Sequence, residues 1–175
     1  MSDAHTEPVT PTTIHGLSDP FSVGDEAFAA VIADIGAAAP RWIVEYGSGA
    51  SSVRWARAFP AAQLLAIDHD AGFAAQTQAA VDADGATNVR VEYRPVRLQR
   101  TGRLATRTYA AGWLPDQVDV AFVDGPPASI ARGREGAIHQ VLGRIVVGGR
   151  IYIDDYNRPP EREAVARVRL SLIHI

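Results

Sequence analysis

The chain has 175 residues, a formal net charge of −3, 47% apolar side chains and no cysteine. That length suits one domain with a sizeable core, and the missing cysteines remove disulfides, thiolate metal sites and cysteine nucleophiles. The mildly acidic balance gives no global pull towards nucleic acid, and no apolar run reaches the roughly 18 residues that a membrane span needs.

Met1 to Pro20 is polar and proline-containing, without the basic start and apolar stretch of a secretory leader. It reads as a flexible arm over residues 1–20, ahead of a domain over 21–170 and an unstructured tail over 171–175. A cytoplasmic location is the corresponding expectation. From Asp25 to about Ala39, apolar residues recur at helical spacing until Pro40. Arg41 to Tyr46 is a short apolar run ending in a glycine-rich turn, the pattern of a buried strand. Ser51 to Phe59 follows as a helix, with Pro60 just beyond it.

The alternation repeats. Leu64–Asp68 reads as a second strand, Ala71–Ala83 as a helix and Val89–Tyr93 as a weaker third strand. Pro95 to Asp116 reads as irregular. It contains most of an arginine run (Arg90, Arg94, Arg97, Arg100, Arg103, Arg107) that is expected to form a solvated segment. Val118–Val123 is the fourth strand, Ala131–Val146 is mostly helix, Arg150–Ile153 is the fifth strand, and Pro160–Leu170 starts a last helix. Strands alternating with helices imply βαβ units. The expected fold class is therefore α/β, a Rossmann-like, doubly wound and mostly parallel sheet with helices on both faces.

Ligands of such sheets sit at the carboxyl ends of the strands. The first strand ends in Glu45-Tyr46-Gly47-Ser48-Gly49-Ala50-Ser51-Ser52 and the second in Asp68-His69-Asp70. The fourth ends in Asp124-Gly125-Pro126-Pro127 and the fifth in Asp154-Asp155-Tyr156. The glycines permit a tight turn and a close ligand. An acid about 20 residues beyond such a loop suits a ribose diol. The third glycine of a dinucleotide-binding loop would fall at Ser52, which argues against NAD.

With these four strand ends, the stretch from Asp25 to Arg167 resembles the class I S-adenosylmethionine-dependent methyltransferases, in particular bacterial O-methyltransferase-like members. The resemblance implies a cofactor site made of Glu45, Tyr46, Gly47, Ser48, Gly49, Ser51, Ser52, Asp68, His69 and Asp124. In it, Glu45 helps hold the methionyl amino end, Asp68 holds the ribose hydroxyls, His69 lies near the adenine, and Asp124 lies beside the methyl group and acceptor. Carboxylates suit the cofactor's ammonium and diol.

Methyl transfer is largely a matter of positioning. If the acceptor is a hydroxyl, Asp124 and Asp155 are the candidate catalytic residues. Asp124 and Asp155, with Asp154, also form a candidate Mg²⁺ site. In the catechol O-methyltransferase-like branch of the family that the chain resembles, acids at similar strand ends hold Mg²⁺ and the set usually continues with an asparagine, where Tyr156 stands here.

Tyr109 and Trp113 are candidates for shaping an acceptor pocket, and Arg132 or Arg134 for clamping an acidic acceptor, the plainer reading of either arginine being an exposed helix start. The expected partner is a small-molecule acceptor, with neither membrane nor nucleic acid. The competing expectations are a non-catalytic cofactor-binding fragment and an NAD-dependent oxidoreductase. The family sheet has seven strands, so the last two are expected to be missing here, as in a C-terminally truncated reading frame.

Overall fold

A computed structural model describes residues 24–101 and 104–173. In chain order the elements are α1 (Asp25–Ile35), β1 (Trp42–Tyr46), α2 (Ala50–Ala58), β2 (Gln63–Asp68), α3 (Ala71–Ala83), β3 (Val89–Tyr93), β4 (Val96–Thr101), β5 (Leu104–Tyr109), β6 (Val118–Val123), α4 (Gly133–Leu142), β7 (Ile145–Ile153) and α5 (Pro159–Ile173). A short 3₁₀ turn, Gly36–Ala38, follows α1. Five strands form one sheet in the order β3-β2-β1-β6-β7, every neighbouring pair parallel. The chain winds outward from β1 to β3 and then returns to β6 beside β1. Such a reversal leaves a crevice at the carboxyl ends of the two central strands.

Strand alternation decides what each face buries. On β1, Ile43 joins Phe28, Trp55, Leu64 and Phe122 in one core cluster, beneath α1 and α2. Val44 and Tyr46 point the other way, into a cluster with Ile67, Val123, Ile138, Val141 and Val168 beneath α4 and α5. Helix α3 starts where the Asp70 carboxylate accepts the Phe73 amide at 2.8 Å, an N-cap that fixes the corner after β2.

The stretch expected to be irregular holds an antiparallel hairpin instead. In it β4 pairs with β5, from Val96 opposite Tyr109 to Thr101 opposite Leu104. The hairpin lies against α4, and it takes the side of the sheet where α4 and α5 pack. A side chain on Gly136 of α4 would collide with Thr106 and Thr108 of β5, so glycine sets how closely the two approach. One member of the arginine run is not solvated. Arg94 is 5% exposed, with its guanidinium on Glu92 and on the Trp113 carbonyl.

Two boundaries also move. Helix α4 ends at Leu142, and β7 takes Ile145 and Val146. Helix α5 runs to Ile173, so residues 171–173, expected in an unstructured tail, are helical. The arm over residues 1–20 and the final residues 174–175 lie outside the described residues. Among the described residues, no helix is long and apolar enough to cross a membrane.

Candidate cofactor and acceptor site

A single cavity of about 960 Å³ opens at the carboxyl ends of β1, β2, β6 and β7. Its wall includes Gly47, Ser48 and Ser51 from the first loop, and Asp68, His69 and Asp70 from the second. Asp124 and Gly125 follow β6, Asp154, Asp155 and Arg158 follow β7, and Tyr109 and Arg134 complete the wall. The volume is that of a small-molecule site.

The first loop is held from below. Gly47 has φ of +99°, and a Cβ there would stand 3.0 Å from the Gly125 amide, so the loops after β1 and β6 touch through glycine. The Gly49 amide donates to Ser52 Oγ at 3.2 Å, and that hydroxyl donates to Glu45 Oε2 at 2.5 Å. Ser52 thus ties the loop to the strand beneath it, which gives it a use that a dinucleotide loop's third glycine would not have. Glu45 is fully buried, and its other oxygen has no hydrogen-bond partner. Burial raises its pKa from 4.5 to about 7, against the pull of the Ser51, Ser52 and Trp55 side chains.

Asp68 braces the same loop from the side. Its Oδ2 accepts the Ser48 amide at 2.9 Å and the Ser48 hydroxyl at 3.0 Å. Its Oδ1 accepts the Asp70 amide at 2.9 Å and lies 3.3 Å from His69 Nδ1. Burial raises the Asp68 pKa, but the hydrogen bonds from His69, Asp70 and Ser48 outweigh it and leave the value below normal. His69 in turn is raised, chiefly by its bond to Asp68. The Asp68 carboxylate is therefore already well supplied with donors. Asp70 also lines the cavity and, two residues on, adds a second carboxylate to this corner.

At the far wall, Asp124, Asp154 and Asp155 offer oxygens that all lie within 4.8 Å of one another. Burial and the neighbouring Asp154 push the Asp124 pKa up to about 8, although Arg134 pulls it down. Arg134 Nη2 lies 3.1 Å from Asp124 Oδ1 and 3.2 Å from Asp155 Oδ2, while Nη1 donates to the Asp154 carbonyl at 2.8 Å. Arg158 reaches Asp155 Oδ2 from outside, at 2.7 Å. Between the two acidic walls stands Tyr109, whose buried hydroxyl has no hydrogen-bond partner. Burial and the charges of Asp68 and Asp124 raise its pKa well above normal.

Of the residues expected from sequence, Gly47, Ser48, Ser51, Asp68, His69, Asp124 and Asp155 line this one cavity. Glu45, Tyr46, Gly49 and Ser52 do not. Glu45 and Ser52 form the loop's internal support, and Gly49 is the N-cap of α2. Tyr46 faces the core, its ring 5.4 Å from that of Tyr109, because strand alternation turns it away from the loop. Tyr109 does reach the cavity, whereas Trp113 packs against Trp42 elsewhere, with ring centroids 5.5 Å apart. Arg134 is no exposed helix start, being 7% exposed. Asp70 and Arg158 had no assigned role. Asp70 had a signal, an acid placed to cap the helix after the second strand.

Residues 44–156 match the model of a family described as a methyltransferase domain. A search of curated proteins finds no match. Among solved structures, the O-methyltransferase TomG from Streptomyces achromogenes, involved in tomaymycin synthesis and solved with SAM, is similar at TM-score 0.62 and 19% identity, covering 89% of this chain and 71% of its own. A precorrin-6y C5,15-methyltransferase from Geobacter metallireducens aligns at TM-score 0.63 and 16% identity, over 86% of this chain and 73% of its own. A SAM-dependent methyltransferase from Thiobacillus denitrificans, solved with S-adenosyl-L-homocysteine, aligns at TM-score 0.54 and 26% identity, over 79% of this chain and 50% of its own.

Proposed function

The chain belongs to the methyltransferase-domain family, and from that premise we propose that it moves a methyl group from S-adenosylmethionine to an oxygen atom of a small molecule. The observation that carries this reading is the single cavity in which the Gly47–Ser48 loop, the Asp68–Asp70 corner and the Asp124 loop face one another. Its charge suits the donor. S-adenosylmethionine carries an ammonium, a sulfonium and a ribose diol, and the wall offers carboxylates at Asp68, Asp70, Asp124, Asp154 and Asp155.

The cofactor supplies, when bound, an electrophilic methyl group on a good leaving group. The protein's own work is then to position and to manage one proton. Gly47 and Ser48 would form the floor beneath the nucleoside, with Asp68 and Asp70 holding its diol and His69 beside its base. The acceptor enters on the side of Tyr109 and Asp124. Once ionised, Asp124 is placed to take the proton of an acceptor hydroxyl as the carbon–oxygen bond forms, and with its pKa raised to about 8 this role strengthens as pH rises towards that value. Oxygen as the acceptor atom is favoured by the carboxyl group on that wall, which can take a hydroxyl proton.

The acidic cluster does not fit a resident Mg²⁺. Arg134 lies within 3.2 Å of two of its carboxylates and already supplies the positive charge. No step of the reaction is assigned to a metal. The test is label transfer from methyl-labelled S-adenosylmethionine to a panel of small phenols, alcohols and amines. Label on oxygen is expected; label on nitrogen alone would overturn the choice of acceptor atom.

A further inference from the structure

We propose that Arg134 is a built-in cation that bridges the Asp124 and Asp155 carboxylates and the Asp154 backbone carbonyl after β6 and β7, and so closes this three-carboxylate cluster to divalent metal ions. The cluster has the make-up of a cation site. Asp124, Asp154 and Asp155 present oxygens within 4.8 Å of one another, and hard divalent ions bind such oxygens at about 2.0–2.6 Å. The Arg134 guanidinium occupies that ground. One nitrogen lies 3.1 and 3.2 Å from Asp124 and Asp155, and another donates at 2.8 Å to the backbone oxygen of Asp154.

The chain holds the guanidinium there. Arg134 sits in the first turn of α4, and that turn is seated on the Pro126 loop. A Cβ on the neighbouring Gly133 would stand 2.5 Å from Pro126 Cγ and 3.0 Å from Ile130 Cγ2. Asp155 has φ of +55°, a left-handed conformation that aspartate tolerates better than most residues. Its carboxylate is shared between Arg134 and Arg158. Behind the guanidinium, the buried Glu161 places a carboxylate oxygen 3.9 Å from Arg134 Nε. With an Arg134 side chain only 8% exposed, little water is present to screen a second cation. A divalent ion and this guanidinium therefore exclude one another. Arginine stays charged at every working pH, so the cluster is permanently occupied. The inference stands on metal binding alone, so a failed methyl-transfer assay leaves it untouched.

The experiment titrates the purified full chain with Mn²⁺ and reads free ion by electron paramagnetic resonance. The parent is expected to take up no single equivalent at concentrations up to about millimolar. Arg134→Met keeps the apolar stem but removes the charge, and is expected to bind one equivalent at least tenfold more tightly. Adding Asp155→Asn to it abolishes that gain. Arg134→Lys keeps a cation and is expected to stay closed, which separates charge from packing. Thermal unfolding checks that each variant is folded, and Arg134→Ala replaces Arg134→Met if the latter is not. Three results overturn the proposal. These are a parent that binds one Mn²⁺ lost on Asp155→Asn, a folded neutral variant with no gain, and a lysine variant that gains as much as the methionine one. A parent that binds one Mn²⁺ at this cluster overturns the proposal even if no neutral variant folds.

Discussion

Glu45→Gln tests how the first loop is supported. The Glu45 carboxyl is fully buried at the end of β1, and its pKa stands at about 7 instead of 4.5. A carboxyl raised on folding holds its proton more tightly in the folded chain. Its contribution is most favourable below the unfolded value and is lost as pH rises through the folded one, between pH 4.5 and about 7. Each pH step inside that window removes up to about 1.4 kcal/mol, and the whole window roughly 3 kcal/mol. Glutamine abolishes the titration while retaining an oxygen for the Ser52 hydroxyl. Any cost of its buried amide group, about 1–3 kcal/mol if unpaired, is the same at every pH and shifts only the intercept. Urea unfolding of both proteins between about pH 5 and about pH 8 gives the difference directly. The stability of the variant relative to the parent should rise by roughly 2–3 kcal/mol across that range. A difference that does not change with pH would refute a buried, titrating Glu45.

Three further outcomes follow from the same geometry. Gly47→Ala puts a Cβ at φ of +99° and 3.0 Å from the Gly125 amide, so a loss of roughly 1–3 kcal/mol is expected by denaturation, together with weaker binding of S-adenosylhomocysteine. Asp68→Asn keeps one acceptor oxygen but replaces the other with an NH2 that cannot accept from Ser48, Asp70 or His69, and removes the charge, so calorimetry should record at least a tenfold loss in affinity for S-adenosylhomocysteine, about 1.4 kcal/mol; an unchanged affinity removes its assigned role. Tyr109→Phe deletes a buried hydroxyl that has no hydrogen-bond partner, so thermal stability should hold or rise slightly; a fall of several degrees would mean the hydroxyl is engaged.

Where apolar runs were bounded by breaks, the sequence was easy to read. Strands β1, β2 and β6 are short blocks such as Trp42-Ile43-Val44 and Val118 to Val123, closed by glycine or an acid, and burial on both faces makes them nearly uniform in hydropathy. The β4–β5 hairpin was not legible in this way. Its apolar members are sparse, and arginines at 97, 100 and 107 read as solvated surface. The overlooked signal was alternation with β-favouring threonines at 101, 106 and 108.

At the site, the strand ends could be found from the pattern, but not the direction each side chain takes. Tyr46 and Glu45 are adjacent in sequence, yet alternation sends one into the core and the other under the loop. Arg134 could not be placed at all. A first-turn arginine is usually exposed, and only the return of β7 beside β6 brings Asp154 and Asp155 within its reach.

Calorimetric titration of the purified chain with S-adenosylhomocysteine, and in parallel with NAD, is the most direct measurement. One equivalent of S-adenosylhomocysteine should bind, with NAD giving no heat beyond dilution. Binding of NAD in its place would show that the cavity beside Gly47 and Asp68 is built for a different nucleotide.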